Sequence, residues 1–295
     1  MKSVTPLDGP YVQFCGKKML DFSSHDFLGL AQHPEVKKNA IKYTLRYGVG
    51  TPPHFLASAP QQQLEEKLAH FLGFEAVTFY PCYEGAKAAV LELKATIVSS
   101  LAQKKSKDAS LVCIDDSETF GVLGPRGMGL AAQQKGADLI LGSFVRGGGN
   151  FGAYIGSSHT LKSKLAPSSA LPPSVLGALD AALNFIPEMD SERQTLAQHA
   201  TWLKKQLEEN GWKAKDSLLP IVSLSFSTEE EAAKLVRFFE EEAIFVGAPD
   251  SKQIVFCLTA LHTPDDLDQL GTALKKLSTT DLAVAMQSLT PTPRR

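Results

Sequence analysis

The run Leu111-Val112-Cys113-Ile114 is short and wholly apolar, and it ends on two aspartates, Asp115 and Asp116. A strand of that kind has no solvent face. It belongs inside a sheet covered on both sides, the usual situation of parallel strands in α/β proteins. Further short strands are expected over residues 77–80, 138–142 and 153–155, separated by segments of helical period. Pro34 starts a helix over 35–47 that Gly48 stops. Leu64, Leu68, Phe71 and Leu72 share one face of a helix over 61–72 that Gly73 stops. A long helix is expected over 84–101, followed by a polar, lysine-bearing connector over 103–108. A second long helical run is expected from 174 to 211, after a loop over 167–173.

The last third reads as strand (219–226), helix (229–242), two strands (244–246 and 254–258) and a helix over 264–277 with Thr263 as its N-cap. That order implies a smaller α+β domain with its own core. The expected organisation is an N-terminal segment (1–45) packing with the small domain, an abridged large domain (46–180), the small domain (181–280) and a tail (281–295). The formal net charge of -2 gives no electrostatic footprint for nucleic acid or an anionic membrane. No apolar run approaches the ~18 residues of a membrane span, and the first residues carry no apolar signal core, so a cytoplasmic protein is expected. Cys15, Cys82, Cys113 and Cys257 form no CxxC pair and read as reduced, mostly buried thiols.

Several segments together carry a resemblance. They are Asp21-Phe22-Ser23-Ser24-His25-Asp26-Phe27-Leu28-Gly29-Leu30 with His33-Pro34, Tyr47-Gly48-Val49-Gly50, Leu64-Glu65-Glu66, the run from Ile114 to Gly127, Ala170-Leu171-Pro172-Pro173, and Leu258-Thr259-Ala260-Leu261-His262-Thr263. In this order they resemble the α-oxoamine synthases, the pyridoxal-phosphate (PLP) family that includes 8-amino-7-oxononanoate synthase, glycine C-acetyltransferase and serine palmitoyltransferase. The resemblance implies a fold-type I PLP-transferase architecture: a mostly parallel sheet flanked by helices, here abridged, plus a smaller C-terminal α+β domain. It also implies a dimer with composite sites.

PLP needs a carboxylate at its ring nitrogen, an amine for its aldehyde, donors for its phosphate and a ring against its face. Asp115 matches the family's pyridinium aspartate, and Ser143 a phosphate-contacting hydroxyl. Asp115 also reads as a strand-end residue capping a turn, but the match favours the cofactor position; Ser143 reads equally as a turn residue, and both are taken as vestigial candidates for cofactor binding. The remaining positions depart from the pattern. Where the family has a hydroxyl residue and then the Schiff-base lysine, this chain has Val145-Arg146. A guanidinium with a pKa above ~12 cannot act as that amine. Lys135, Lys162 and Lys164 lie outside the matched position, and Glu118 replaces a histidine beside the cofactor's phenolic oxygen. Thr51-Pro52-Pro53-His54 replaces a glycine-rich loop. The stretch carrying the ring-stacking histidine is missing, and neither His54 nor His70 takes its place. Val255 stands where an arginine would hold a substrate carboxylate, a pairing an apolar side chain cannot make.

No catalytic residue is therefore assigned. The expectation is a degenerate family member that forms no PLP Schiff base and needs no cofactor, serving as a structural or regulatory subunit. Its partner would be itself or a catalytic paralogue, as in serine palmitoyltransferase, where one subunit also lacks the lysine. Two alternatives stay open: an active PLP-dependent acyl-CoA:amino-acid C-acyltransferase, and a small-ligand binding protein reusing the cleft. Metal binding by Asp115-Asp116-Ser117-Glu118 is not expected, and Gly147-Gly148-Gly149 lacks the lysine-serine of a phosphate loop.

Overall fold

A computed structural model describes residues 3–50, 58–101, 111–134, 136–166, 169–214, 217–248 and 252–278. The expectations for the 51–54 loop, for His54, Lys135 and the 103–108 connector, and for the tail fall outside these residues. The chain divides into two compact units: Met1–Ser24 with Gln194–Arg295, and His25–Arg193.

The smaller unit begins with β1 (Val4–Pro6), β2 (Tyr11–Phe14) and β3 (Lys17–Phe22). Cys15 and Gly16 connect β2 to β3, both at positive φ (49° and 78°), so the turn matches the twist of the hairpin it closes. In the larger unit α1 (Pro34–Tyr47) and α2 (Ala59–Leu72) precede β4 (Ala76–Tyr80), α3 (Tyr83–Glu92), β5 (Thr96–Ser99) and β6 (Val112–Asp115). There follow β7 (Leu139–Ser143), β8 (Ala153–Ser157), α4 (His159–Lys162), α5 (Pro173–Phe185) and the start of α6 (Asp190–Glu209). The smaller unit resumes within α6 and adds β9 (Ile221–Ser225), α7 (Glu229–Glu241), β10 (Ile244–Val246), β11 (Gln253–Cys257) and α8 (Pro264–Ser278).

The sheet of the larger unit has five strands in the order β4-β8-β7-β6-β5. β5, β6 and β7 run parallel, and β8 lies antiparallel between β7 and β4. Every residue of β7 and β8 is buried. In the smaller unit β3 pairs in parallel with β10, so the N-terminal hairpin completes a four-stranded sheet. The core of that unit joins Leu20 and Phe22 to Leu203, Leu207, Phe239 and Phe256.

Four expectations are corrected. The apolar helix expected over 84–101 ends at Glu92; Lys94 turns at φ 58°, and Thr96-Ile97-Val98 pair with β6 instead. The β-branched run, not the helical period, decides that segment, because an open strand edge was there to be paired. The helix expected over 174–211 is interrupted by a 3-10 turn at Ile186–Glu188, where Pro187 removes a backbone donor. The segment 1–45 is split: its first 24 residues belong with the small unit, while α1 lies in the larger one, whose other boundary falls at Arg193. Finally, the thiols are not mostly buried. Cys15 in its turn and Cys82 as the N-cap of α3 are exposed, whereas Cys113 and Cys257 in strands are buried.

Within the larger unit a polar network ties elements together through a buried acid. Glu65 on α2 accepts hydrogen bonds from the Phe79 N–H (3.0 Å) and from Gln61 Nε2 (3.1 Å), and Lys162 Nζ lies 3.0 Å from its other oxygen. Gln61 Oε1 in turn accepts from the Leu171 N–H at 2.9 Å. Lys162 also donates to the Val77 carbonyl at 2.7 Å.

Candidate functional site

Parallel strands place their carboxyl ends at one side of a sheet, and α/β proteins bind ligands there. Ser99 is paired in register with Asp115, and Asp115 with Leu141, so the ends of β5, β6 and β7 lie side by side. A cleft of about 410 Å³ opens at these ends, all of it within the larger unit. Its lining includes Asp115, Ser117 and Glu118 from the loop after β6, Ser143, Val145 and Arg146 from β7 and its loop, Ser99 to Leu101 after β5, Tyr83, and His25.

A close backbone approach sets the centre of this cleft. A Cβ on Gly147 would lie 2.2 Å from the Phe120 carbonyl oxygen, and one on Gly121 would lie 2.6 Å from Gly147 Cα. Only glycines allow the loops after β6 and β7 to touch in this way, and the contact carries Arg146 to Glu118. The guanidinium Nη2 donates to Glu118 Oε1 at 2.7 Å. Arg146 lies above the Phe27 ring, 5.8 Å from its centroid, and its backbone carbonyl accepts from the Phe27 N–H. Asp26 fixes that loop by accepting from the Leu30 and Ala31 amides, both at 2.9 Å. Gly147-Gly148-Gly149 is therefore a packing device in this fold.

The Asp115 to Glu118 run divides between the cleft and the core. Asp116 turns inward, 1% exposed, accepting from the Thr119 hydroxyl and from the Leu130 N–H at 3.2 Å. Burial pushes its carboxyl above the ordinary value, and the hydrogen bond from Thr119 opposes the shift. Asp115 faces the cleft, and its Oδ2 accepts from the Tyr83 hydroxyl at 2.5 Å while Oδ1 accepts from the Ser117 N–H. Burial, then the hydrogen bond to Asp115 and its negative charge, raise the Tyr83 phenol above its ordinary pKa, so it stays a donor at neutral pH. His25 stands at the exposed rim. Partial burial of its ring and the charge of Arg146 lower its pKa, and Glu118 works in the opposite sense.

Ser143 also lines the cleft, but its Oγ accepts from the Val145 N–H at 3.3 Å, a turn contact. Val255 lies in β11 of the smaller unit, its backbone bonded in both directions to Gly247. His70 and Lys164 are exposed. Among the described residues no group of three or more His, Cys, Asp or Glu side chains is placed to hold a metal ion, and no helix is long and apolar enough to cross a membrane.

Four contributors were not assigned from the sequence. Tyr83 follows Cys82 in an unremarkable helix start, and only the folded register brings its phenol to Asp115. His25 stood in the matched N-terminal segment without a role. Ser99 and Ser100 were placed inside a helix; the β-branched Thr96-Ile97-Val98 run was the signal that locates them at a strand end.

A sequence model of aminotransferase class I and II matches residues 120–274, more than half of the chain. The chain belongs to that family, in its α-oxoamine synthase branch. An 8-amino-7-oxononanoate synthase of Gluconacetobacter diazotrophicus is 27% identical over 359 residues, covering 91% of this chain and 90% of the relative. That alignment is longer than the chain's own 295 residues, so it crosses positions at which this chain has nothing. The homologous synthase of Geobacter sulfurreducens is 25% identical, covering 94% of this chain and 93% of the relative. Among solved structures, a Sphingomonas wittichii serine palmitoyltransferase superposes with a TM-score of 0.82 at 14% identity, covering 96% of this chain and 93% of that one. An 8-amino-7-oxononanoate synthase of Francisella tularensis gives 0.70 at 16% identity, covering 88% and 98%. At such identities the structural likeness is one of fold, a fold-type I α/β architecture.

The family is PLP-dependent, so the cleft can be tested against PLP. Its described lining offers one permanent cation, Arg146, already paired with Glu118, and no primary amine. The carboxylate suited to a ring nitrogen holds the Tyr83 hydroxyl. These residues do not fit a covalently held PLP.

Proposed function

We propose that this chain is a degenerate α-oxoamine synthase homologue that forms no covalent link to PLP and acts as a non-catalytic structural or regulatory subunit. It pairs with itself or with a lysine-bearing paralogue. The observation that carries this reading is the Arg146 guanidinium held 2.7 Å from Glu118 at the carboxyl end of β7, where the resemblance puts the catalytic lysine. An arginine stays protonated and cannot attack an aldehyde. Asp115 and Ser143 are then remnants of a cofactor site, their polar atoms turned to partners within the chain. Val145 and Val255 agree with this, since neither supplies the contact that the family pattern assigns to its position.

The test is spectroscopic. Purified protein mixed with PLP shows no absorbance band near the visible edge that survives dialysis and disappears with borohydride. A persistent, borohydride-sensitive band on the wild-type chain sinks the proposal. Arg146→Lys restores no acyltransferase activity, because the other departures remain; recovered turnover in a coupled assay would mean that they matter less than the lysine. Co-purification with an intact α-oxoamine synthase supports the subunit role.

A second reading is favoured by one observation: the relatives that align along most of the chain are named 8-amino-7-oxononanoate synthase. Under that reading the chain is a working PLP-dependent acyltransferase, and the same absorbance experiment decides between the two.

A further inference from the structure

Arg146 is under-served for a guanidinium in a cleft. Of its nitrogens, Nη2 has an acceptor in Glu118, while Nη1 is buried among the described residues with no partner. Its side chain is 19% exposed, whereas that of Glu118 is 45% exposed and reaches Arg146 through a single contact. An arginine presents a planar fork that matches a carboxylate through two parallel bonds. One half-exposed carboxylate touching one nitrogen leaves that capacity mostly unused. The Ser117 and Ser143 hydroxyls line the same space, and the cleft of about 410 Å³ falls within the range of small-molecule sites.

We infer that the Arg146 cleft is a non-covalent binding site for a small organic carboxylate, with the Glu118 side chain as its built-in competitor. The ligand's carboxylate displaces Glu118 from the guanidinium, and Glu118 swings into the solvent it already half occupies. Its class follows from the resident acceptor: the position on Arg146 is already filled by a carboxylate, so its geometry admits one. Tyr83 closes Asp115 in the same manner, a hydroxyl covering the other strand-end charge among the described lining residues. The inference rests on the reading that no PLP is linked in this cleft.

The experiment uses the full chain, titrated calorimetrically with acetate, propionate and succinate, and with inorganic phosphate in parallel. Glu118→Gln removes the competing charge and tightens carboxylate binding about tenfold, equivalent to about 1.4 kcal/mol. Arg146→Gln abolishes it, with circular dichroism confirming that the variant is folded; Ser143→Ala weakens it about threefold if the hydroxyl contributes one bond. Should Arg146→Gln lose its fold, the Glu118→Gln comparison decides by itself. Equal affinities for wild type and Glu118→Gln overturn the inference, as does an absence of binding in both. Binding of phosphate without any carboxylate overturns the ligand class. A borohydride-sensitive PLP band with normal carboxylate titrations would instead remove only the reading beneath it.

Discussion

Glu65→Ala lowers the stability of the larger unit by about 3–5 kcal/mol, the scale for breaking a buried ion pair by removing one member. Glu65 is 5% exposed and serves three donors on different segments: Gln61 one turn earlier on α2, the Phe79 N–H in β4, and Lys162 at the end of α4. Alanine leaves the Phe79 amide facing a void that cannot hydrogen-bond and takes one of two acceptors from the Lys162 ammonium, and the gap sits under a strand whose partner, β8, is fully buried. Glu65→Gln costs less, because the amide oxygen can still accept from Phe79. Lys162→Met costs less again, since Lys162 is 38% exposed and the Glu65 carboxylate keeps its Gln61 and Phe79 donors. Native-state hydrogen exchange at the Phe79 amide is the direct measurement, supported by thermal unfolding followed by circular dichroism. Protection of Phe79 within about 1 kcal/mol of wild type in Glu65→Ala would show that the network is dispensable.

Most of the strand and helix order was legible because the apolar period of each segment agrees with its final burial. Leu64, Leu68 and Leu72 are all buried on α2, as their spacing requires, and the all-apolar run before Asp115 forms the interior strand β6. What failed failed for a tertiary reason. Residues 96–99 continue a helical pattern on paper and become a strand because β6 presents an edge to pair with. The site was legible in part. Asp115, Glu118, Ser143 and Arg146 do meet in one cleft, which strand-end positions in a parallel sheet dictate. The pairing of Arg146 with Glu118 was not foreseen, although both substitutions were noted separately. Seen together, an arginine at the position the resemblance gives to a lysine and a glutamate at the one it gives to a histidine make a complementary pair, and the Gly121–Gly147 contact is what brings it together. Glu65 and His262 lay inside the matched segments, and in the structure each has a structural task that the resemblance did not specify.

His262 makes the smaller unit acid-labile. Its ring, 3% exposed, stacks on Phe22 with centroids 4.3 Å apart. Nδ1 accepts from the Thr259 N–H at 3.0 Å, which places the proton on Nε2, 3.0 Å from the Asp21 carbonyl oxygen. The ring thus ties the start of α8 to β3 in its neutral form, and a second proton on Nδ1 would displace the Thr259 N–H contact and find only the Thr259 carbonyl and hydroxyl oxygens, each at 3.3 Å. Burial lowers its pKa to about 4, and the charge of His199 adds slightly, against opposing contributions from the Asp21 and Thr259 backbone and from Asp266. The native pKa therefore lies below the unfolded value of about 6.5. Between these values the unfolded chain takes up a proton that the native one does not, so stability is full above about pH 6.5 and falls as the pH drops toward 4. The loss approaches about 3 kcal/mol, taking about 1.4 kcal/mol per pKa unit. Both tryptophans, Trp202 and Trp212, belong to this unit, so urea unfolding followed by tryptophan fluorescence at pH 7, 6 and 5 reads it selectively. His262→Gln is less stable at pH 7 but loses most of the slope between pH 6.5 and 4.5. If the variant kept the wild-type slope, the acid sensitivity would have to come from Asp266, whose carboxyl is held below its ordinary value against the effect of burial because it accepts from Tyr11 and Thr263 beside the same helix start. Asp21 has the opposite sign: raised by burial, it favours the folded state in acid, so it would flatten the loss rather than produce it.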